Sequence, residues 1–148
     1  MPEVRMALGR RELLLIGGGV VCARAIGCGG SEPIVLAKEI PAGNASAVTL
    51  DTLRPVAGSA VAIGRDGNGI YAMSLVCTHQ GCDIASGGSV SFSRVHCACH
   101  GSEFNNQGQV LLGPASRPLP HLLVTKDAAN GLTIHGDTVV VATERLSA

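Results

Sequence analysis

Two short segments hold the residues with most chemistry to offer: Cys77-Thr78-His79-Gln80-Gly81-Cys82 and Cys97-Ala98-Cys99-His100-Gly101-Ser102. Each supplies one cysteine and one histidine at close spacing, with a second cysteine beside them. Thiolates bind iron strongly, and imidazoles that replace two of them leave a cluster less negative, which raises its reduction potential. Two loops that each give one sulfur and one nitrogen suit a diiron cluster. Two blander arrangements use the same residues. A structural zinc site favours Cys-x-x-Cys pairs, a spacing neither segment has. A pair of disulfides with no metal would leave the two histidines without a reason for their spacing. His96, His121 and His135 occupy no ligand position and read as ordinary surface or strand-edge residues. No nucleophile stands beside a base and no phosphate loop is present, since Gly17-Gly18-Gly19 lies in an N-terminal apolar run.

The elements that position these segments read as strands. From Pro33 onward no long stretch keeps a helical period, whereas short runs rich in Val, Ile and Thr recur between turn signals, the pattern of an all-β domain. The expected strands are 34–38, 47–50, 60–64, 70–76, 91–95, 122–125, 132–135 and 139–142. Asp66-Gly67-Asn68-Gly69 reads as a hairpin turn, and so do Asn130-Gly131 and Gly136-Asp137.

Composition bounds the rest. The 148 residues suffice for one compact domain. Apolar residues make up 46% but aromatic ones only 2%, so the core must rely on Val, Leu, Ile and Ala. A cross-link or a bound metal would help to stabilise a core so short of bulky side chains. Residues 29–148 carry seven Lys or Arg against nine Asp or Glu, and this mildly acidic balance argues against a nucleic-acid partner.

The two segments resemble the paired boxes of the Rieske family, Cys-x-His and Cys-x-x-His, with seventeen residues between His79 and Cys97 here. The resemblance runs from about Pro33 to the C-terminus. It implies a Rieske-type antiparallel β-sandwich whose two loops form a small cluster-binding subdomain. It also implies a [2Fe–2S] cofactor, with Cys77 and Cys97 on one iron and His79 and His100 on the other. Cys82 and Cys99 match the cytochrome bc and b6f branch, in which a disulfide ties the two loops together. Ser102 matches a serine that donates a hydrogen bond to the cluster, and Gly113-Pro114-Ala115 matches a proline loop that covers it. High-potential members usually have Tyr where this chain has Phe104, so the expected potential lies below the top of the roughly −150 to +300 mV Rieske range. Gln80 stands where quinol-oxidising members usually present Leu, which argues against docking into a quinol pocket.

The N-terminus reads as an address. Arg10-Arg11 precedes the apolar run from Leu13 to Ala23, which resembles a twin-arginine export signal; Arg24 ends the run too soon for a membrane span. Ala25-Ile26-Gly27-Cys28 resembles a lipobox, which makes Cys28 the candidate for lipidation and residues 29–32 a flexible tether to a domain at 33–148. Cys22 reads as an apolar filler of the leader. An oxidising compartment agrees with a disulfide. The expected protein is therefore an exported, membrane-associated electron carrier at the periplasmic face of a bacterial membrane, free or tethered by lipid at Cys28. It would pass one electron from a quinol or oxidase donor to a cytochrome c-like acceptor. The competing expectations are the iron–sulfur subunit of a quinol–cytochrome c reductase and the Rieske small subunit of a periplasmic molybdenum oxidase.

Overall fold

The computed structural model describes residues 33–147. The leader, Cys28 and the tether lie outside the described residues. Among the described residues there are ten strands: β1 (Ile40–Asn44), β2 (Thr52–Pro55), β3 (Val61–Asp66), β4 (Gly69–Ser74), β5 (Ser89–Val90), β6 (Val95–His96), β7 (Glu103–Phe104), β8 (Val110–Leu112), β9 (His121–Lys126) and β10 (Gly131–Val140). A single helical turn, α1 (Ile84–Gly87), is capped by the Asp83 carboxylate, which accepts the Ala85 N–H at 2.8 Å.

A six-stranded antiparallel sheet in the order β1-β10-β9-β4-β3-β2 forms the base, and in a four-stranded sheet in the order β5-β6-β7-β8 the second cysteine segment is the β6–β7 turn, while the first connects β4 of the base to α1. The all-β architecture with a small subdomain is thus present. Side chains alternate across a strand, and the central hairpin uses both faces. Val61, Ile63, Ile70 and Ala72 enter one apolar cluster with Leu122, Val124, Leu132 and Ile134. Ala62, Tyr71 and Met73 enter a second, which runs under the cysteine loops and includes Cys77, Ile84, Val95, Cys97 and Phe104. Tyr71 and Phe104, two of the chain's three aromatic residues, are both fully buried there.

Several expected elements are corrected. Residues 34–38 form no strand, and 47–50 fall on the end of a 3-10 turn (Ala45–Ala47) and the loop after it. The strands lie a few residues on, at β1 and β2, and both contain a proline, Pro41 and Pro55. Proline cannot donate to a ladder and is tolerated at a sheet edge, and these are the two edges of the six-stranded sheet. Of the strand expected at 91–95 only Val95 is in a strand, β6, and 91–94 form a turn between β5 and β6, closed by the Ser91 N–H donating to the Arg94 carbonyl at 2.9 Å. Gly136-Asp137 is no hairpin: the register jumps between His135 and Val139, so the last two expected strands are one bulged strand, β10. The hairpin between Asp66 and Gly69 and the turn at Asn130, whose φ is 63°, are found where expected.

Candidate metal centre

The two chemistry-bearing segments fold alike. In the first, the Cys77 N–H donates to the Cys82 carbonyl at 2.8 Å and the Gly81 N–H to the Cys77 carbonyl at 2.8 Å. In the second, the Cys97 N–H donates to the Ser102 carbonyl at 2.9 Å and the Gly101 N–H to the Cys97 carbonyl at 3.0 Å. Each six-residue loop closes through a left-handed glycine at its fifth position, Gly81 at φ 75° and Gly101 at φ 78°, a conformation that disfavours any side chain. The shared Cys-x-x-x-Gly pattern was the signal for this, and reading the segments only for ligand spacing overlooks it.

In this common frame the first residues, Cys77 and Cys97, are equivalent, and both are buried free thiols. The histidines occupy the third position of one loop and the fourth of the other, which brings their rings to 4.8 Å between centroids in an edge-on arrangement. His79 is half-buried and His100 is exposed, whereas both free thiols are buried. Cys82 and Cys99 are joined in a disulfide that ties one loop to the other, as the resemblance implies. The sulfurs of Cys82, Cys97 and Cys99 lie within 4.8 Å of one another, but two of those three are bonded together and offer no metal a thiolate.

The donor set fits a [2Fe–2S] cluster. His79 Nδ1 is buried with no hydrogen-bond partner among the described residues, an arrangement that costs free energy unless something else satisfies the nitrogen. Two unpaired thiols, that nitrogen and the facing His100 ring make an S2N2 set of the kind such a cluster uses. Burial pushes the Cys97 thiol up, the backbone N–H groups of Cys99 and His100 oppose it, and the neighbouring Cys77 adds to the rise. Thiolate binding to iron would release that proton.

A third segment closes the site. Ser102, fully buried, accepts the Ala115 N–H at its hydroxyl oxygen at 3.0 Å, and the Thr78 hydroxyl donates to the Arg117 carbonyl at 2.6 Å. Residues 113–118 are thereby laced to both cysteine loops. Gly113 and Pro114 are exposed and joined by a cis peptide, while Ala115 is buried. Phe104 is fully buried beneath the loops.

His121 is not the ordinary edge residue expected. It is 3% exposed and belongs to a polar network that pins the β7–β8 turn to the base sheet. Its Nε2 lies 3.0 Å from the Gln107 carbonyl, and the Tyr71 hydroxyl donates to the Asn106 carbonyl at 2.8 Å. Burial and the Arg145 charge hold His121 below its usual value, so it is neutral and Nε2 is the donor, although the Gln107 carbonyl and Asp66 pull the other way. The Arg145 guanidinium stacks 4.3 Å above the Tyr71 ring and pairs with Asp66 at 2.9 Å. Burial works to raise the Asp66 carboxyl, but hydrogen bonds from Arg145, the Asn68 N–H and Gln107, with the Arg145 charge, hold it below the usual carboxylate range. Burial pushes the Tyr71 hydroxyl up to about 12. Nothing in the local sequence around His121 announces this role. His96, in β6, and His135, hydrogen-bonded to Thr125 at 2.9 Å, lie outside the site.

Comparison with known proteins agrees with this geometry. A Rieske [2Fe–2S] domain profile matches residues 32–126. The chain is 35% identical over 119 residues to the cytochrome b6-f complex iron-sulfur subunit of Synechococcus elongatus, covering 75% of this chain and 60% of that one. It is 33% identical over 153 residues to the carotenoid phi-ring synthase of Chlorobaculum tepidum, covering 97% of this chain and 22% of that one. The chain therefore spans from about a fifth to 60% of the length of these relatives. Among solved structures, the apo form of a quaternary ammonium Rieske monooxygenase has a TM-score of 0.51 at 22% identity, over 70% of this chain and 34% of that one, a likeness of fold alone. With the paired loops, the disulfide and the family match together, the chain belongs to the Rieske family and is an electron-transfer protein whose cofactor is a [2Fe–2S] cluster.

Proposed function

We propose that Cys77 and Cys97 hold one iron and His79 and His100 the other, and that the chain serves as an exported, membrane-tethered one-electron carrier. The observation that carries the ligand set is the orphaned, buried His79 Nδ1, on a ring 4.8 Å from that of His100, together with two buried free thiols that open the two loops. When bound, the cluster supplies reversible one-electron exchange. The surrounding residues set how that exchange proceeds. His79 and His100, at the solvent-facing end, give electrons their shortest way in and out. Ser102, whose oxygen already accepts from Ala115, has its own proton left to donate toward the cluster and favour the reduced, more negative form. Phe104 and the apolar residues around it keep water from the sulfurs, and Pro114 closes a third side. Gln80, exposed at the tip, offers a polar group to whatever docks there, and that favours a carrier over a quinol-oxidising subunit.

The export signal at Arg10-Arg11, lipidation at Cys28 and a cytochrome c-like acceptor belong to this reading. A disulfide in the domain agrees with a compartment outside the cytoplasm. No helix among the described residues is long and apolar enough to cross a membrane. A second reading, a subunit of a membrane redox complex, draws support from the cytochrome b6-f relatives. Copurification with a membrane cytochrome favours that reading, and a stable monomer favours the carrier.

Iron and acid-labile sulfide analysis of the purified full chain tests the ligand set. Two irons and two sulfides per chain are expected, lost in Cys77→Ser and Cys97→Ser and retained in Cys82→Ser. Retention of both irons in Cys77→Ser would overturn the assignment.

A further inference from the structure

The segments that carry and cover the histidines hold one charge. Residues 76–82, 97–102 and 111–120, which make up the two loops and the covering segment, contain Arg117 as their single charged residue. The nearest carboxylates along the chain are already occupied. Glu103 pairs with Arg94 at 2.9 Å, and Asp83 caps α1. Arg117 is exposed and makes no ion pair among the described residues. Its backbone is not free to wander, because its carbonyl accepts the Thr78 hydroxyl at 2.6 Å and Thr78 lies between Cys77 and His79. The point from which this cation's side chain extends is therefore tied to the first histidine-bearing loop. In the same covering segment, Leu111 and Leu112 are 54% and 57% exposed on β8, an edge strand whose Leu112 pairs with Glu103, the residue after Ser102, and they lead into the exposed Pro114. This combination of an apolar shelf and one unpaired cation stands out in a domain whose described residues are otherwise mildly acidic.

We propose that Leu111, Leu112, Pro114 and Arg117 form a docking surface for a redox protein that presents an acidic rim around its own electron-exchange site, with Arg117 selecting for it. This deepens the carrier reading and rests on it. Apolar contact supplies short-range fit, and complementary charge raises the encounter rate and suppresses like-charged partners. A partner with a basic rim would meet Arg117 with no carboxylate in the three segments to offset it.

The test is the oxidation rate of the reduced, cluster-loaded full chain by two small probes of opposite charge, ferricyanide and tris(phenanthroline)cobalt(III). At about 0.01 M ionic strength, removing one charge about 10 Å from a trivalent anion slows its reaction about fourfold. Arg117→Ala is expected to slow ferricyanide by about that factor and to speed the cobalt complex, and Arg117→Glu to do more of both. Lys126→Ala changes net charge equally, and Lys126 lies at the end of β9 away from the loop side, so it is expected to leave both rates within a factor of about 1.5. An acidic c-type cytochrome is expected to follow ferricyanide, with Leu112→Ser slowing it while leaving both small probes unchanged. Equal effects of Arg117→Ala and Lys126→Ala, or no effect of either Arg117 variant, would overturn the proposal. A chain that holds no cluster and reduces neither probe would instead overturn the carrier reading beneath it.

Discussion

Replacing Ser102 by alanine removes a hydroxyl that is fully buried and placed between two demands. Its oxygen accepts the Ala115 N–H at 3.0 Å, and its proton is the one proposed above to donate toward the cluster. A hydrogen bond to a charged acceptor contributes about 1.5–3 kcal/mol. If most of that appears only in the reduced form, conversion at 59 mV per tenfold for one electron lowers the potential of Ser102→Ala by about 60–130 mV. The same change leaves the buried Ala115 N–H without an acceptor, at a cost of about 1–3 kcal/mol in stability. Direct voltammetry on the loaded protein reads the first effect and a denaturant midpoint the second. A variant that keeps its full iron content but shifts by less than about 20 mV would refute the assignment of the Ser102 proton to the cluster.

Breaking the disulfide in a Cys82→Ser, Cys99→Ser double variant opens a loop of sequence separation 17 and is expected to cost about 3 kcal/mol, with faster bleaching of the visible absorption on warming. Gly81→Ala and Gly101→Ala meet no atom within 4 Å, so their cost is that of a left-handed residue, about 1–2 kcal/mol by denaturation. Asp66 is held below the usual carboxylate value near 3.8, so its contribution is present above that pH and is lost as the pH falls through the lower folded value. Stability measured against acid should lose that limb in Asp66→Asn. His121 is held below its usual 6.5, so the unfolded chain takes up the proton first; stability falls as the pH drops below about 6.5, and His121→Gln should flatten this slope.

How far the sequence could be read depended on whether a residue's partner was local. The ligand loops announce themselves because all their chemistry lies within six residues each, and the Asp66–Gly69 hairpin was legible from its Asn-Gly turn. The edge strands β1 and β2 were not, because Pro41 and Pro55 read as breaks, and only the sheet order shows that they sit where a missing donor does no harm. The bulge in β10 reads as a turn because Gly136-Asp137 has turn chemistry, whereas pairing with β9 resumes at Val139. His121 was missed for a different reason. Its partners come from β4, the β7–β8 turn and the C-terminal segment, brought together only by the fold. The same holds for the Thr78–Arg117 bond, which joins residues 39 apart in sequence.

Low-temperature electron paramagnetic resonance of the dithionite-reduced full chain tests most directly whether two thiolates and two imidazoles hold the cluster. A rhombic signal whose average g lies well below the free-electron value, lost in His79→Ala and in His100→Ala, is expected. A signal of the all-cysteine type would contradict the two-imidazole ligand set, and zinc without iron by metal analysis with no signal at all would contradict both the ligand set and the carrier reading built on it.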